Sequence, residues 1–257
     1  MKYPFGLQLY TVRDHLDRDL PATLRQIREA GYEYVETAGF HGRSPEEFMT
    51  MLRREGLTPL SMHVPYETLV HQGDQVTRIA QKFGVSWVVV PWLGPELCPD
   101  RDAWRATGAR LDEMGIQFRR EGLWLCYHNH SHEFVPLSDG SVPFELLLAS
   151  ADPEHLLMEL DTCWAALAGA DVCELLRRCA GRCPLLHVKD YTRAPGDGMP
   201  RLTELGQGEM PWGKILPEAA RAGARWYFVE QDESATDSLE SARVGARFMR
   251  ECNERVA

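Results

Sequence analysis

Apolar residues along this chain alternate between two patterns: short β-branched and aliphatic runs, and longer stretches in which they recur every three or four positions. The first pattern is that of a strand buried on both faces, the second that of a helix with one apolar side. Eight runs read as strands: Gly6–Val12, Tyr34–Ala38, Pro59–Val64, Trp87–Trp92, Leu123–His130, Leu156–Asp161, Pro184–Asp190 and Trp226–Asp232. Between and after them lie amphipathic stretches at Leu20–Ala30, Pro45–Arg54, Val76–Phe83, Ala103–Arg120, Pro143–Ala149, Val172–Cys179, Trp212–Ala222 and Ser238–Asn253. Gly31, Gly56, Gly84, Gly122, Gly181 and Gly223 each follow a helical stretch and lead into a strand. A residue that tolerates left-handed φ closes a helix at such a joint. Strands separated by helices pair in parallel through right-handed crossovers, so the choice is an open doubly wound sheet or a closed barrel. Eight units in 257 residues favour closure, since a barrel of this kind takes roughly 250 residues. The first strand is also not followed by the GxGxxG turn of a dinucleotide-binding sheet. The expected architecture is a single (β/α)8 TIM barrel, one domain over residues 1–257.

Composition narrows the function classes. A 44% hydrophobic content supplies a sizeable core, and the formal net charge of −10, with no run of Lys or Arg, argues against a phosphate-backbone footprint. A small-molecule substrate is expected, not nucleic acid. No segment has the length and apolarity of a membrane span, and the N-terminal residues lack the apolar core and cleavage site of a signal peptide. Seven cysteines, odd in number and scattered through apolar segments, read as small core residues in a reducing compartment, so a cytoplasmic location is expected.

The barrel reading gives the polar residues a place, because barrel active sites sit at the C-terminal ends of the strands. Ser61-Met62-His63 ends the third strand, His128-Asn129-His130 the fifth, Glu159-Leu160-Asp161 the sixth, His187-Val188-Lys189-Asp190 the seventh and Glu230-Gln231-Asp232 the eighth. Any one of these is ordinarily an exposed strand end or a structural hydrogen bond. Four neighbouring strands presenting carboxylates and imidazoles at one end, without thiolates, instead suit a divalent metal, with Mn, Mg or Co favoured over Zn. Strand alternation puts Glu159 with Asp161, His187 with Lys189 and Glu230 with Asp232 on shared faces, while Asp190 points the other way, where it serves to anchor a backbone amide. Tyr10, Trp92, Trp164 and Trp212 offer aromatic faces near the expected mouth. Gly206-Gln207-Gly208 reads as a turn into the seventh helix and lacks the Lys and Ser/Thr of a phosphate loop.

The segments YHNHSHEF (127–134), ELDTCWAALAGAD (159–171), LLHVKDY (185–191), LGQGEMPW (205–212) and FVEQD (228–232), with LQLYTVR (7–13) and SMHVPY (61–66), resemble those of sugar phosphate isomerase/epimerase proteins in the xylose isomerase-like barrel superfamily. The resemblance covers essentially the whole chain. It implies one metal held by a Glu after the fifth strand, an Asp after the sixth, a His after the seventh and a Glu after the eighth. Asp161, His187 and Glu230 match three of these places. At the fifth strand His128 stands where many epimerases carry the Glu. Glu133 is the preferred replacement there, with His128 and His130 either taking its place or lining the substrate pocket. Where related epimerases carry a His after LDT, this chain has Cys163-Trp164.

What the resemblance implies chemically is metal-assisted proton transfer next to a carbonyl of a sugar or polyol, through an enediolate. Glu230 and Glu133 would be the two bases, Lys189 would place positive charge near the developing oxyanion, and His63 would bind or shuttle a proton to a hydroxyl. His128, His130, Trp164, Trp92 and Tyr10 would contact the carbohydrate substrate. The same intermediate also permits a dehydratase or lyase outcome. An endonuclease IV-like repair enzyme and a noncatalytic carbohydrate-binding barrel are the rival classes. The first conflicts with the acidic charge balance, and the second with the Asp161, His187 and Glu230 trio.

Overall fold

A computed structural model describes residues 2–193 and 199–256. Eight parallel strands close into a barrel: β1 (Phe5–Gln8), β2 (Tyr34–Ala38), β3 (Thr58–His63), β4 (Trp87–Val90), β5 (Trp124–His128), β6 (Leu156–Asp161), β7 (Leu185–Val188) and β10 (Trp226–Val229). The ring closes where β1 pairs with β10, setting Leu7 beside Val229. Helices α1 (Arg13–Arg18), α2 (Leu20–Glu29), α3 (Pro45–Arg54), α4 (Tyr66–Phe83), α5 (Arg101–Arg120), α6 (Pro143–Ser150), α7 (Thr162–Leu167), α8 (Val172–Arg178), α9 (Trp212–Ala222) and α10 (Ser238–Arg255) surround it. This is the expected (β/α)8 barrel. Among the described residues no helix is long and apolar enough to cross a membrane.

Local chemistry sets the element boundaries. The Ser44 side chain accepts from Glu47 N while Glu47 reaches back to the Ser44 backbone, a capping box that starts α3, and Pro45 supplies a preset φ at its first position. All six glycines expected to stop helices have positive φ. At Gly84 and Gly223 the left-handed residue turns its N–H onto the last carbonyls of α4 and α9. The first strand is shorter than its apolar run, because the Gln8 side chain accepts from Tyr10 N and turns Leu9–Val12 into a 3-10 helix. Conversely, α4 begins ten residues earlier than the amphipathic pattern indicates, at Tyr66, and departs from helical geometry at Gln72 (φ −136°).

Neither the short helices α1 and α7 nor the element after β7 was foreseen. After β7 the chain makes an antiparallel hairpin, β8 (Asp190–Arg193) with β9 (Pro200–Thr203). Asp190 organises its base: its carboxylate accepts from the backbone N–H of Tyr191, Met210 and Gly206 at 3.0 Å each and from Trp212 Nε1 at 2.9 Å. The apolar core has two parts. The larger lies between barrel and helices, and a smaller cluster of Trp87, Val89, Cys126, Leu157, Leu185 and Phe228 fills the barrel interior.

Candidate functional site

Strand alternation carries that interior cluster directly into a polar layer. Cys126 is followed two residues on by His128, Leu157 by Glu159 and Asp161, Leu185 by His187 and Lys189, and Phe228 by Glu230, all on the inward face. The apolar residues plug the N-terminal half of the barrel and leave titratable groups at the C-terminal half. His128, Glu159, Asp161, His187, Lys189 and Glu230 are all buried there.

The fifth-strand motif divides its labour residue by residue. His128 enters the interior, with Nδ1 3.3 Å from Glu159 Oε2. Asn129 crosses to β6, donating to Asp161 O and accepting from Asp161 N, which fixes the neighbouring strand end. His130 reaches the cavity above. Glu133 does not fold back over the mouth as expected. It is buried behind β5, where it accepts from Tyr127 Oη at 2.5 Å and from His130 N at 2.8 Å. Burial raises its pKa. The reason is local: a 3-10 turn at His132–Phe134 directs the carboxylate onto the backbone of its own loop. In the structure the fifth-strand residue grouped with Asp161, His187 and Glu230 is His128, the ligand atoms of all four lying within 4.8 Å of one another.

The remaining strand ends converge as alternation requires. One carboxylate oxygen of Asp161 caps α7 by accepting from Trp164 N at 2.8 Å, and the other lies 2.8 Å from Lys189 Nζ. Lys189 Nζ also lies 2.6 Å from Glu230 and 2.8 Å from Asp232, so one ammonium is held among three carboxylates. His187 Nδ1 meets Glu230 Oε2 at 2.7 Å, and its Nε2 meets Glu36 Oε1 at 2.7 Å. Burial disfavours charge on His187, but Glu159 and Glu230 outweigh it and raise its pKa well above the usual imidazole range. Glu230 is likewise buried, yet Lys189 and His187 hold its carboxyl well below the usual range. Burial dominates at Asp161, which is pushed up to about 6 against the opposing pull of Lys189. His128 is lowered by burial and by the neighbouring cationic imidazoles, leaving a neutral ring.

Sequence reasoning missed a second buried group on the opposite wall. Glu36 on β2 accepts from Gln8 Nε2 at 2.8 Å and from the Ser61 hydroxyl, and it lies 3.0 Å from His63 Nε2. His63 also meets Glu159 at 2.8 Å, so His63, Glu36, Glu159 and His187 form one ion-pair network across the barrel. Burial opposes charge on His63, but Glu36 and Glu159 raise its pKa to about 10. Glu36 sits in the apolar run Tyr34-Val35-Glu36-Thr37-Ala38, and an acid at an inward position of such a strand is the signal that could have found it.

Above this layer opens a cavity of about 650 Å³, with Tyr10, His63, Trp92, His128, His130 and Glu230 among its walls. Trp164 borders the cluster from α7, its ring 5.4 Å from Lys189 Nζ. Trp212 is elsewhere: it is buried against Asp190 and packs on Phe248, so it offers no face to the mouth.

The donor set fits a divalent metal. Two carboxylates and two imidazoles, one of them a neutral His128 whose Nδ1 has no hydrogen-bond partner, offer the mixed N/O ligation of Mn, Co, Fe or Zn. A second grouping, His63, His128, Glu159 and His187, shares two of these residues. There Glu159 Oε2 is already engaged by both His63 and His187.

The fold has counterparts among known proteins. A sugar phosphate isomerase/epimerase from Parabacteroides distasonis ATCC 8503 superposes with a TM-score of 0.79 at 24% identity, covering 96% of this chain and 93% of that one. A xylose isomerase-like TIM barrel protein from Mycobacterium smegmatis, solved in complex with magnesium, gives a TM-score of 0.74 at 17% identity over 99% of this chain and 98% of that one. Inosose dehydratase 2 of Bacillus cereus (strain ZK / E33L) is 22% identical over 166 residues, 58% of this chain. The chain spans 55% of that relative's length. The family described as xylose isomerase-like TIM barrel matches residues 24–252, and this chain belongs to it.

Proposed function

We propose that the protein is a metal-dependent carbohydrate isomerase or epimerase that moves a proton on the carbon next to a carbonyl. The observation that carries this reading is the convergence of His128, Asp161, His187 and Glu230 beneath an open cavity. These four residues would hold the metal, which when bound supplies positive charge to the substrate oxygens flanking the reacting carbon. Glu230 lines the cavity, ionised beside Lys189 and His187, and its position there makes it the carboxylate that would accept the carbon-bound proton. Asp232, the other carboxylate of the cavity wall, takes the place expected of Glu133 in returning a proton. Lys189 holds positive charge beside both, and His63 and His130 face the substrate hydroxyls from the β3 and β5 sides. The seven unpaired cysteines support a cytoplasmic setting.

A dehydratase outcome is the second reading, favoured by the inosose dehydratase relative. It needs the same first proton transfer, followed by loss of a β-hydroxyl. The test common to both is exchange of substrate C–H for solvent deuterium, followed by NMR over a panel of ketoses and keto-polyols. Exchange is expected with the metallated protein, and it should cease after chelation and return with Mn or Co. In Glu230→Gln it should slow by on the order of 10² to 10⁴, the usual contribution of a positioned general base. Exchange at the wild-type rate in the chelated protein or in Glu230→Gln contradicts the proposal.

A further inference from the structure

The cavity above the cluster is built in two unlike halves. At its inner end His130 Nδ1 is buried and has no hydrogen-bond partner in the protein. Trp164 Nε1, on the ring that packs 6.0 Å from His130, is in the same condition. Buried polar atoms of this kind are ordinarily satisfied, and a hydroxyl group of a sugar ring would satisfy His130 from the cavity. The outer part is different. Phe40, Met62, Val64, Val76, Ile79 and Trp92 make its wall, with Thr68, Gln72 and Gln75 the polar residues that α4 contributes to it. Tyr10 and Trp92, at 42% and 46% exposure, leave aromatic faces open at its rim.

Size and charge narrow the occupant. At about 650 Å³ the cavity falls among the pockets of roughly 300–1,000 Å³ that enclose drug-sized ligands, and it exceeds what one sugar ring fills. Among the described residues its wall contains no Lys or Arg, whereas Glu230 and Asp232 line it. The nearest cations are engaged. Lys189 is held by Asp161, Glu230 and Asp232. Arg13 donates to Tyr10 O and Asp232 O and lies 3.9 Å over the Tyr10 ring. A phosphate ester would therefore meet carboxylates and find no guanidinium or ammonium to receive it.

We infer that the site takes an unphosphorylated keto-sugar carrying an apolar ring as its appendage, a glycoside with an aromatic aglycone whose carbonyl lies on a ring carbon other than the anomeric one; simple glycosides serve as its non-reacting binding analogues. The sugar ring lies over His128 and Glu230, and the aglycone lies between Trp92, Phe40 and α4. This rests on the proposal that the cluster acts on carbohydrate, and it adds what the rest of the substrate must be.

Isothermal titration calorimetry of the metallated protein tests it, using phenyl and methyl glycosides of glucose, galactose and mannose in both anomers, together with glucose 6-phosphate. At least one phenyl glycoside should bind about tenfold or more tighter than its methyl counterpart, as burial of an aromatic ring implies. Glucose 6-phosphate should be the weakest ligand. Phe40→Ala and Trp92→Ala should bring the phenyl and methyl affinities together. The inference is overturned by phenyl glycosides that bind no better than methyl ones, by no measurable binding of any glycoside, or by a preference for glucose 6-phosphate. Equal glycoside binding together with a dimer that Phe40→Glu dissociates would assign the apolar half to a second copy of the chain, which also overturns it. A protein that passes the deuterium exchange test but shows no aglycone preference refutes this inference and leaves the proposed reaction standing.

Discussion

His128 and Glu133 stand five positions apart in one motif, and their roles depend on which way a single turn points. Seen as sequence, Glu133 is the preferred metal ligand, since the resemblance implies a Glu after the fifth strand and His128 stands at its place. The structure gives its two oxygens to Tyr127 and to the His130 backbone, and sends His128 into the cluster. Equilibrium metal titration of the two variants separates these readings. Glu133→Gln should retain metal while losing stability, because Tyr127 and the His130 N–H lose a charged acceptor. His128→Ala should weaken metal binding by at least about tenfold, as loss of a ligand must exceed the 10–100-fold cost of losing an outer hydrogen bond to one. The opposite ranking would restore Glu133 to the metal. Asp161, His187 and Glu230 were legible because strand alternation and strand ends fix them with little help from loops. Glu133 was misplaced because a loop residue follows no period, and Glu36 was missed because its partners, Gln8, Ser61, His63 and His187, come from distant parts of the chain.

At the level of elements, strand existence followed from apolar runs, and strand ends were decided by side chains acting on the backbone. Gln8 converts the tail of the first run into a 3-10 helix. Pro91 follows directly on β4, where it cannot supply the next ladder N–H. The β8–β9 hairpin was not legible, since its two short strands carry no apolar period. Asp190, however, was expected to anchor a backbone amide, and it gathers three together with an indole. Its replacement tests how much one carboxylate holds the loop that leads into α9. Asp190→Ala leaves buried donors without an acceptor, at about 1–3 kcal/mol each when unrelieved. Urea denaturation should show a loss of about 2–4 kcal/mol, with Trp212 fluorescence shifted towards solvent. A loss below about 0.5 kcal/mol, the level of an ordinary surface substitution, would mean that the hairpin is held by other contacts.

For the whole molecule, the barrel solves two problems with one alternation. Inward residues of the lower half, Cys126, Leu157, Leu185 and Phe228 among them, make a dry plug. Two residues further along the same strands, a polar layer is enclosed that would be too costly to bury without mutual pairing. The negative members of that layer outnumber what the imidazoles alone would balance, and Lys189 is drawn among Asp161, Glu230 and Asp232. The same concentration of carboxylate charge, beside a neutral His128, is what a divalent cation would meet. Anomalous diffraction from crystals grown with manganese tests this most directly, because it locates the ion and its ligands without reference to a substrate. A single peak bonded by His128, Asp161, His187 and Glu230, and absent from Asp161→Asn crystals, is the predicted result. No peak at the barrel mouth, or one held by His63 and Glu159 with Asp161 and Glu230 uncoordinated, would contradict it.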